Sequence, residues 1–227
     1  MNKQNGSVHA ESSLRRRVIL HRMTTIAPPD GYIPDPPGED DDRFARDFKS
    51  WREWNVTVDF LTNLHFGADE SEIFALKSDP PDVVFRDARF EVKEILDSGR
   101  RRHDEVKAAR LRATAKEGRA PAEMYAAEDL TPTDAGVLVL EELNRLDQKH
   151  YLFGQRATID LLFYINKLKH WFEDGPMPSP QLFEGHGWRS VSAVVDTQQS
   201  LVFHSRFDAP AFLIENMGVV RKRWESL

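Results

Sequence analysis

The chain has 227 residues, 40% hydrophobic and including 14 Phe, enough apolar material to bury the core of one domain of ordinary size. It has no Cys, which excludes disulfide scaffolds, thiolate zinc sites and cysteine nucleophiles. A formal net charge of −6 argues against a uniformly basic nucleic-acid binder, and neither a bilayer-length apolar run nor a signal-peptide h-region is present, so a cytoplasmic protein outside the membrane is expected.

Residues 1–40 read as an extension without stable structure, with a basic cluster at Arg15–Arg17 and Pro28, Pro29, Pro34, Pro36 and Pro37 crowding its end. A single α/β domain is expected over 41–227. Asp40, Asp41 and Asp42 suit a helix start. Phe44, Phe48, Trp51, Val58, Leu61 and Leu64 then recur at helical spacing, predicting one or two amphipathic helices up to about Phe66. Ser71 to Leu76 reads as a short strand or turn before the Pro80-Pro81 break. Strands are predicted at about 82–86 and 89–96. After Gly99 comes a basic helix over 101–117, in a stretch from Ser98 to Arg119 that carries eight cationic residues against three acids.

Gly118 to Leu130 reads as an irregular connection with some helical character. Thr131 is placed to cap a helix that has Pro132 in its first turn and an apolar stripe of Val137, Leu138, Leu140, Leu143 and Leu146. The near-continuous apolar run from Thr158 to Ile165 fits a buried central strand. Lys167 to Phe172 reads as a turn of helix or a loop, and 174–187 as a Pro/Gly-rich loop. Residues 188–195 and 200–204 flank Asp196-Thr197-Gln198-Gln199 as a hairpin, and Pro210 to Met217 reads as a short closing helix. This order predicts an α/β fold, a mixed central sheet flanked by helices.

The stretch Pro81-Asp82-Val83-Val84-Phe85, followed by Phe90-Glu91-Val92-Lys93, carries the chemistry. Residues two apart on a strand share a face, so Glu91 and Lys93 point the same way, and strand pairing brings Asp82 to the same edge. Two carboxylates beside one ammonium make a hard-oxygen metal site with a proton-handling neighbour. The acid-x-Lys half recurs at Asp47-Phe48-Lys49, Glu105-Val106-Lys107 and Asp147-Gln148-Lys149, but in helical segments, where residues two apart do not face each other. The plainer reading is an exposed cross-strand ion pair, worth little. The strand context, Pro81 and the basic segment downstream outweigh it. The histidines show no paired ligand spacing, and neither a G-x-S-x-G elbow nor a phosphate-binding G-x-x-x-x-G-K-[ST] loop is present.

Pro81-Asp82, Glu91 and Lys93 resemble the signature of the PD-(D/E)XK phosphodiesterase superfamily. From about Arg43 onward, through Pro80 to Lys93, Glu94 to Arg101 and Asp208 to Leu213, the chain resembles an uncharacterised bacterial family assigned to the endonucleases of that superfamily. The resemblance implies a restriction-endonuclease-like core and an Mg2+- or Mn2+-dependent nuclease whose partner is nucleic acid, DNA foremost. Asp82, Glu91 and the backbone carbonyl of Val92 would hold the metal, and Lys93 would position the attacking water or take its proton. Glu53 on the first helix is the preferred additional acid, ahead of Asp59 and Glu72. Arg100, Arg101, Arg102 and Lys107 are the expected phosphate contacts. Left open are a non-catalytic module on the same fold, binding nucleic acid or a partner protein, and a homodimer.

Overall fold

A computed structural model of the protein describes residues 28–38, 48–97, 128–147, 151–167 and 170–225. The expected basic helix over 101–117, with Arg100, Arg101, Arg102 and Lys107, lies outside them, as do Asp40–Asp42, Phe44 and the first 27 residues of the expected extension.

An eight-stranded mixed sheet is the frame, in the order β1-β2-β3-β4-β6-β8-β9-β10. Strands β1 (Gly31–Tyr32), β2 (Ile73–Leu76), β3 (Val83–Phe85) and β4 (Ala88–Leu96) run antiparallel to their neighbours. Strand β4 then pairs in parallel with β6 (Asp160–Asn166), and β6 with β8 (Ser190–Val195). Strands β9 (Gln199–Ser205) and β10 (Val220–Lys222) close the sheet, again antiparallel. A separate parallel pair joins β5 (Glu128–Leu130) to β7 (His170–Phe172).

Helix α1 (Lys49–Asn63) covers one face of the sheet and α2 (Pro132–Asp147) the other, so strand residues alternate between two cores. Phe90, Val92, Leu162 and Val194 pack with Trp54 and Phe60 beneath α1. Leu161, Phe163, Ile165 and Ala193 pack with Val139 and Leu143 beneath α2. That two-sided burial is why β6 reads as an unbroken apolar run. Trp54 locks α1 to the sheet by donating Nε1–H to the carbonyl of Ile73, 2.9 Å away. At the start of α2, Thr131 Oγ1 accepts from Asp134 N (3.2 Å), the cap expected of it, and Asp134 Oδ2 accepts from Thr131 N (3.0 Å), which makes the cap reciprocal.

Three expectations are corrected. Gly31–Tyr32, inside the extension expected to lack structure, adds β1 to the edge of β2. His170–Phe172, expected as helix or loop, is a strand, because β5 gives its backbone a partner. Within the loop expected at 174–187, Gln181–Glu184 forms a turn of helix, α4, whose Phe183 is fully buried and stacks on Phe203 at 5.0 Å. The remaining short helices are α3 (Phe153–Arg156) and α5 (Ala211–Glu215). Among the described residues no helix is long and apolar enough to cross a membrane.

Candidate metal centre

The centre forms where the antiparallel half of the sheet gives way to the parallel half. Residues Asp79-Pro80-Pro81, with both X-Pro bonds cis, lead from β2 into β3. Asp82 is pinned on both sides: its N–H donates to the carbonyl of Phe90 and its carbonyl accepts from Leu76 N, each at 2.9 Å. The β3–β4 pairing ends with Val83 opposite Phe90, which brings Asp82, the residue before Val83, beside Glu91, the residue after Phe90. Strand β3 has no further residue to offer β4, which continues alongside β6 alone as far as Leu96. The Asp82 side chain takes over as ladder partner, Oδ2 accepting the Val92 N–H at 2.9 Å. A strand residue's N–H and C=O point to the same side, so the Val92 carbonyl faces this edge too.

Glu91 is 1% exposed. Its Oε1 accepts hydrogen bonds from Lys93 Nζ and from the Tyr151 hydroxyl. Its Oε2 is equally buried and has no hydrogen-bond partner among the described residues. A buried carboxylate oxygen without a donor is costly, and a cation is what such an oxygen suits. Oxygen atoms of Asp79, Asp82 and Glu91 lie within 4.8 Å of one another, the donor set of a hard divalent ion. Lys49, on the first turn of α1, reaches three acids: Glu53 at 3.0 Å, Asp82 at 3.2 Å and Asp79 at 3.5 Å.

The electrostatics report crowding of negative charge. Burial first, then the neighbouring Asp82 carboxylate, pushes Glu53 up to about 7 despite Lys49 beside it. The same two causes, in the same order, hold Glu91 above the ordinary carboxylate range. Burial works against the charge on Lys93, but the Glu91 carboxylate and its hydrogen bond outweigh it, so the ammonium keeps its proton more tightly than an ordinary lysine. Burial and the bond to Glu91 push the Tyr151 phenol up to about 12, so it stays a donor.

The structure thus brings Asp82, Glu91, Lys93 and Glu53 together and sets the Val92 backbone at the same edge. The rivals of Glu53 are engaged elsewhere: Asp59 with Arg223 at 2.5 Å, Glu72 with Arg86 at 2.8 Å. Glu94 accepts from Asn166 Nδ2 at 3.1 Å. Sequence reasoning missed Lys49, Asp79 and Tyr151. The i,i+4 spacing of Lys49 and Glu53 was a usable signal for the first, and Asp79 stands just before the Pro-Pro pair. Tyr151, 60 positions from Glu91, had none.

A mixed sheet covered by helices on both faces, with paired acids where its two halves part, defines an α/β protein with a candidate divalent-cation centre. More particularly, residues 39–223 match the family described as "Putative endonuclease, protein of unknown function (DUF1780)", and the chain belongs to it. Among solved structures it is similar to a protein of unknown function from Pseudomonas aeruginosa strain PAO1, described as of the monooxygenase superfamily. That likeness has 23% identity and a TM-score of 0.59, covers 79% of this chain and 84% of that one, and is one of fold. No curated protein matches the chain.

Proposed function

We propose that the chain is a nuclease of the PD-(D/E)XK type, hydrolysing phosphodiester bonds of nucleic acid with Mg2+ or Mn2+ held by Asp82, Glu91 and the Val92 carbonyl. The observation that carries the reading is the meeting of the Asp82 and Glu91 carboxylates where β3–β4 pairing ends, with Glu91 Oε2 buried and unpartnered among the described residues and Lys93 beside it. The family description supports it. So does the order helix, three strands, helix, strand made by α1, β2, β3, β4, α2 and β6, once β5 of the separate pair and the short helix α3 are set aside.

A bound divalent cation would polarise the phosphoryl group and lower the pKa of a bound water. Around it the chain's own groups have separate tasks. Lys93, beside Glu91, offsets negative charge on the phosphate and positions the water or takes its proton. Tyr151 and Lys93 together fix Glu91 Oε1, which leaves Oε2 to accept a cation. Lys49 holds Asp82 and Glu53 in place.

The test is cleavage of plasmid, single-stranded DNA and RNA by the purified chain in EDTA, Mg2+ or Mn2+. Expected is cation-dependent cleavage that falls by about 10²–10³-fold in Asp82→Asn and in Lys93→Met. A wild-type chain that cuts none of them, or cutting that both substitutions leave intact, overturns the proposal.

A further inference from the structure

Beside the acids, between α1 and strands β4 and β6, lies a cavity of about 460 Å3. That is within the ~300–1,000 Å3 of small-molecule sites. The cavity adjoins the centre: Lys49, Glu53, Val92 and Lys93 line it. The lining also includes Trp51, Asn55, Tyr164, Asn166 and Thr197. Trp51 and Tyr164 are half-buried and present ring surface. The two amides are anchored at the wall, Asn55 Nδ2 donating to Asp59 at 3.3 Å and Asn166 Nδ2 to Glu94 at 3.1 Å.

We infer that this cavity receives the unstacked nucleobase next to the scissile phosphate, so that the substrate is single-stranded or locally opened nucleic acid. Its place on the substrate strand rests on the nuclease reading above. The lining combines the kinds of group that a nucleotide meets. Lys49 and Lys93 are the cations for a phosphate, and Trp51, Tyr164, Asn55 and Asn166 the rings and amides for a base. Rings stack on any base, and amides read its polar edge. In a duplex both faces of a base are stacked and its pairing edge is occupied, so only an extruded or unpaired base offers those surfaces to a pocket. The lining mixes Glu53, Asp59 and Glu94 with Lys49, Arg52 and Lys93, and a charge-balanced wall suits a neutral ring better than a second phosphate.

The experiment compares adenosine 5′-monophosphate with ribose 5-phosphate, titrated by calorimetry into the full chain in EDTA. The nucleotide should bind at least tenfold more tightly. Trp51→Ala and Tyr164→Ala should each weaken it about tenfold while leaving ribose 5-phosphate unaffected. Equal affinities for the two ligands in the wild-type chain, or no binding of either, overturn the inference whether or not the variants fold. In Mn2+, a single-stranded oligonucleotide should be cut at least tenfold faster than its blunt duplex, and equal rates contradict it. The two readings fail separately: a chain that binds the nucleotide without cleaving keeps the base pocket and loses the nuclease, and one that cuts duplex while ignoring the nucleotide does the reverse.

Discussion

Glu91 divides its two oxygens between different tasks. Oε1 is saturated by the Lys93 ammonium and the Tyr151 hydroxyl, while Oε2 is buried with nothing to accept. Tyr151 is therefore a positioning residue. Tyr151→Phe keeps the ring and its edge contact with Trp188 at 5.1 Å, but deletes the hydroxyl. Calorimetric Mn2+ affinity should fall by about tenfold with the melting temperature little changed; unaltered affinity would remove the hydroxyl from the centre. The placement of Asp82, Glu91 and Lys93 was legible because strand periodicity and a short turn fix which side chains share an edge. In sequence, Lys49 belongs to a helical acid-x-Lys match. It reaches Asp82 through its long stem from the start of α1, a geometry that no two-residue spacing encodes. Tyr151 was not legible, since only tertiary packing carries it to Glu91.

At the scale of elements, periodicity gave β3, β4, β6, α2 and the β8–β9 hairpin, each with a repeating or unbroken apolar pattern. It missed β1 and β7, which are two and three residues long and exist through hydrogen bonds to a partner rather than through side-chain pattern. The hairpin turn contains a conflict between sequence and geometry. Asp196 has φ 54° and Thr197 φ 97°, the left-handed region that a β-branched residue rarely enters. Asn63 Nδ2 helps hold it there, 3.3 Å from the Thr197 carbonyl, at the rim of the cavity. Thr197→Gly should stabilise the protein by about 1 kcal/mol in urea unfolding. A loss of stability would show that the threonine side chain contributes more than its backbone costs.

Across the whole molecule, a chain of net charge −6 concentrates buried negative charge in one place. Without a cation that concentration opposes folding, and the sign follows from Glu53. Its folded value, raised by burial and then by Asp82 from 4.5 to about 7, means the native state holds the proton more tightly than the unfolded chain. Its contribution to stability is present below about pH 4.5 and lost as pH rises through about 7. His204, held below its ordinary value by burial, acts oppositely: its contribution is present above about pH 6.5 and is lost as pH falls from there through its lowered folded value. The difference between wild type and Glu53→Gln separates the two. In EDTA, Glu53→Gln should raise the melting temperature by a few degrees at pH 8 and by less at pH 6; a gain of equal size at both would deny Glu53 its part. The fold at this scale was legible in outline, a mixed sheet flanked by helices. Its edges and the separate β5–β7 pair were not, because short strands leave little trace in composition.

The most direct measurement is calorimetric titration of Mn2+ into the wild-type chain, Asp82→Asn and Glu91→Gln. Saturable binding of one ion per chain, weakened at least tenfold by either substitution, is the expected result. No binding, or binding that neither substitution disturbs, would contradict a metal centre at these two acids.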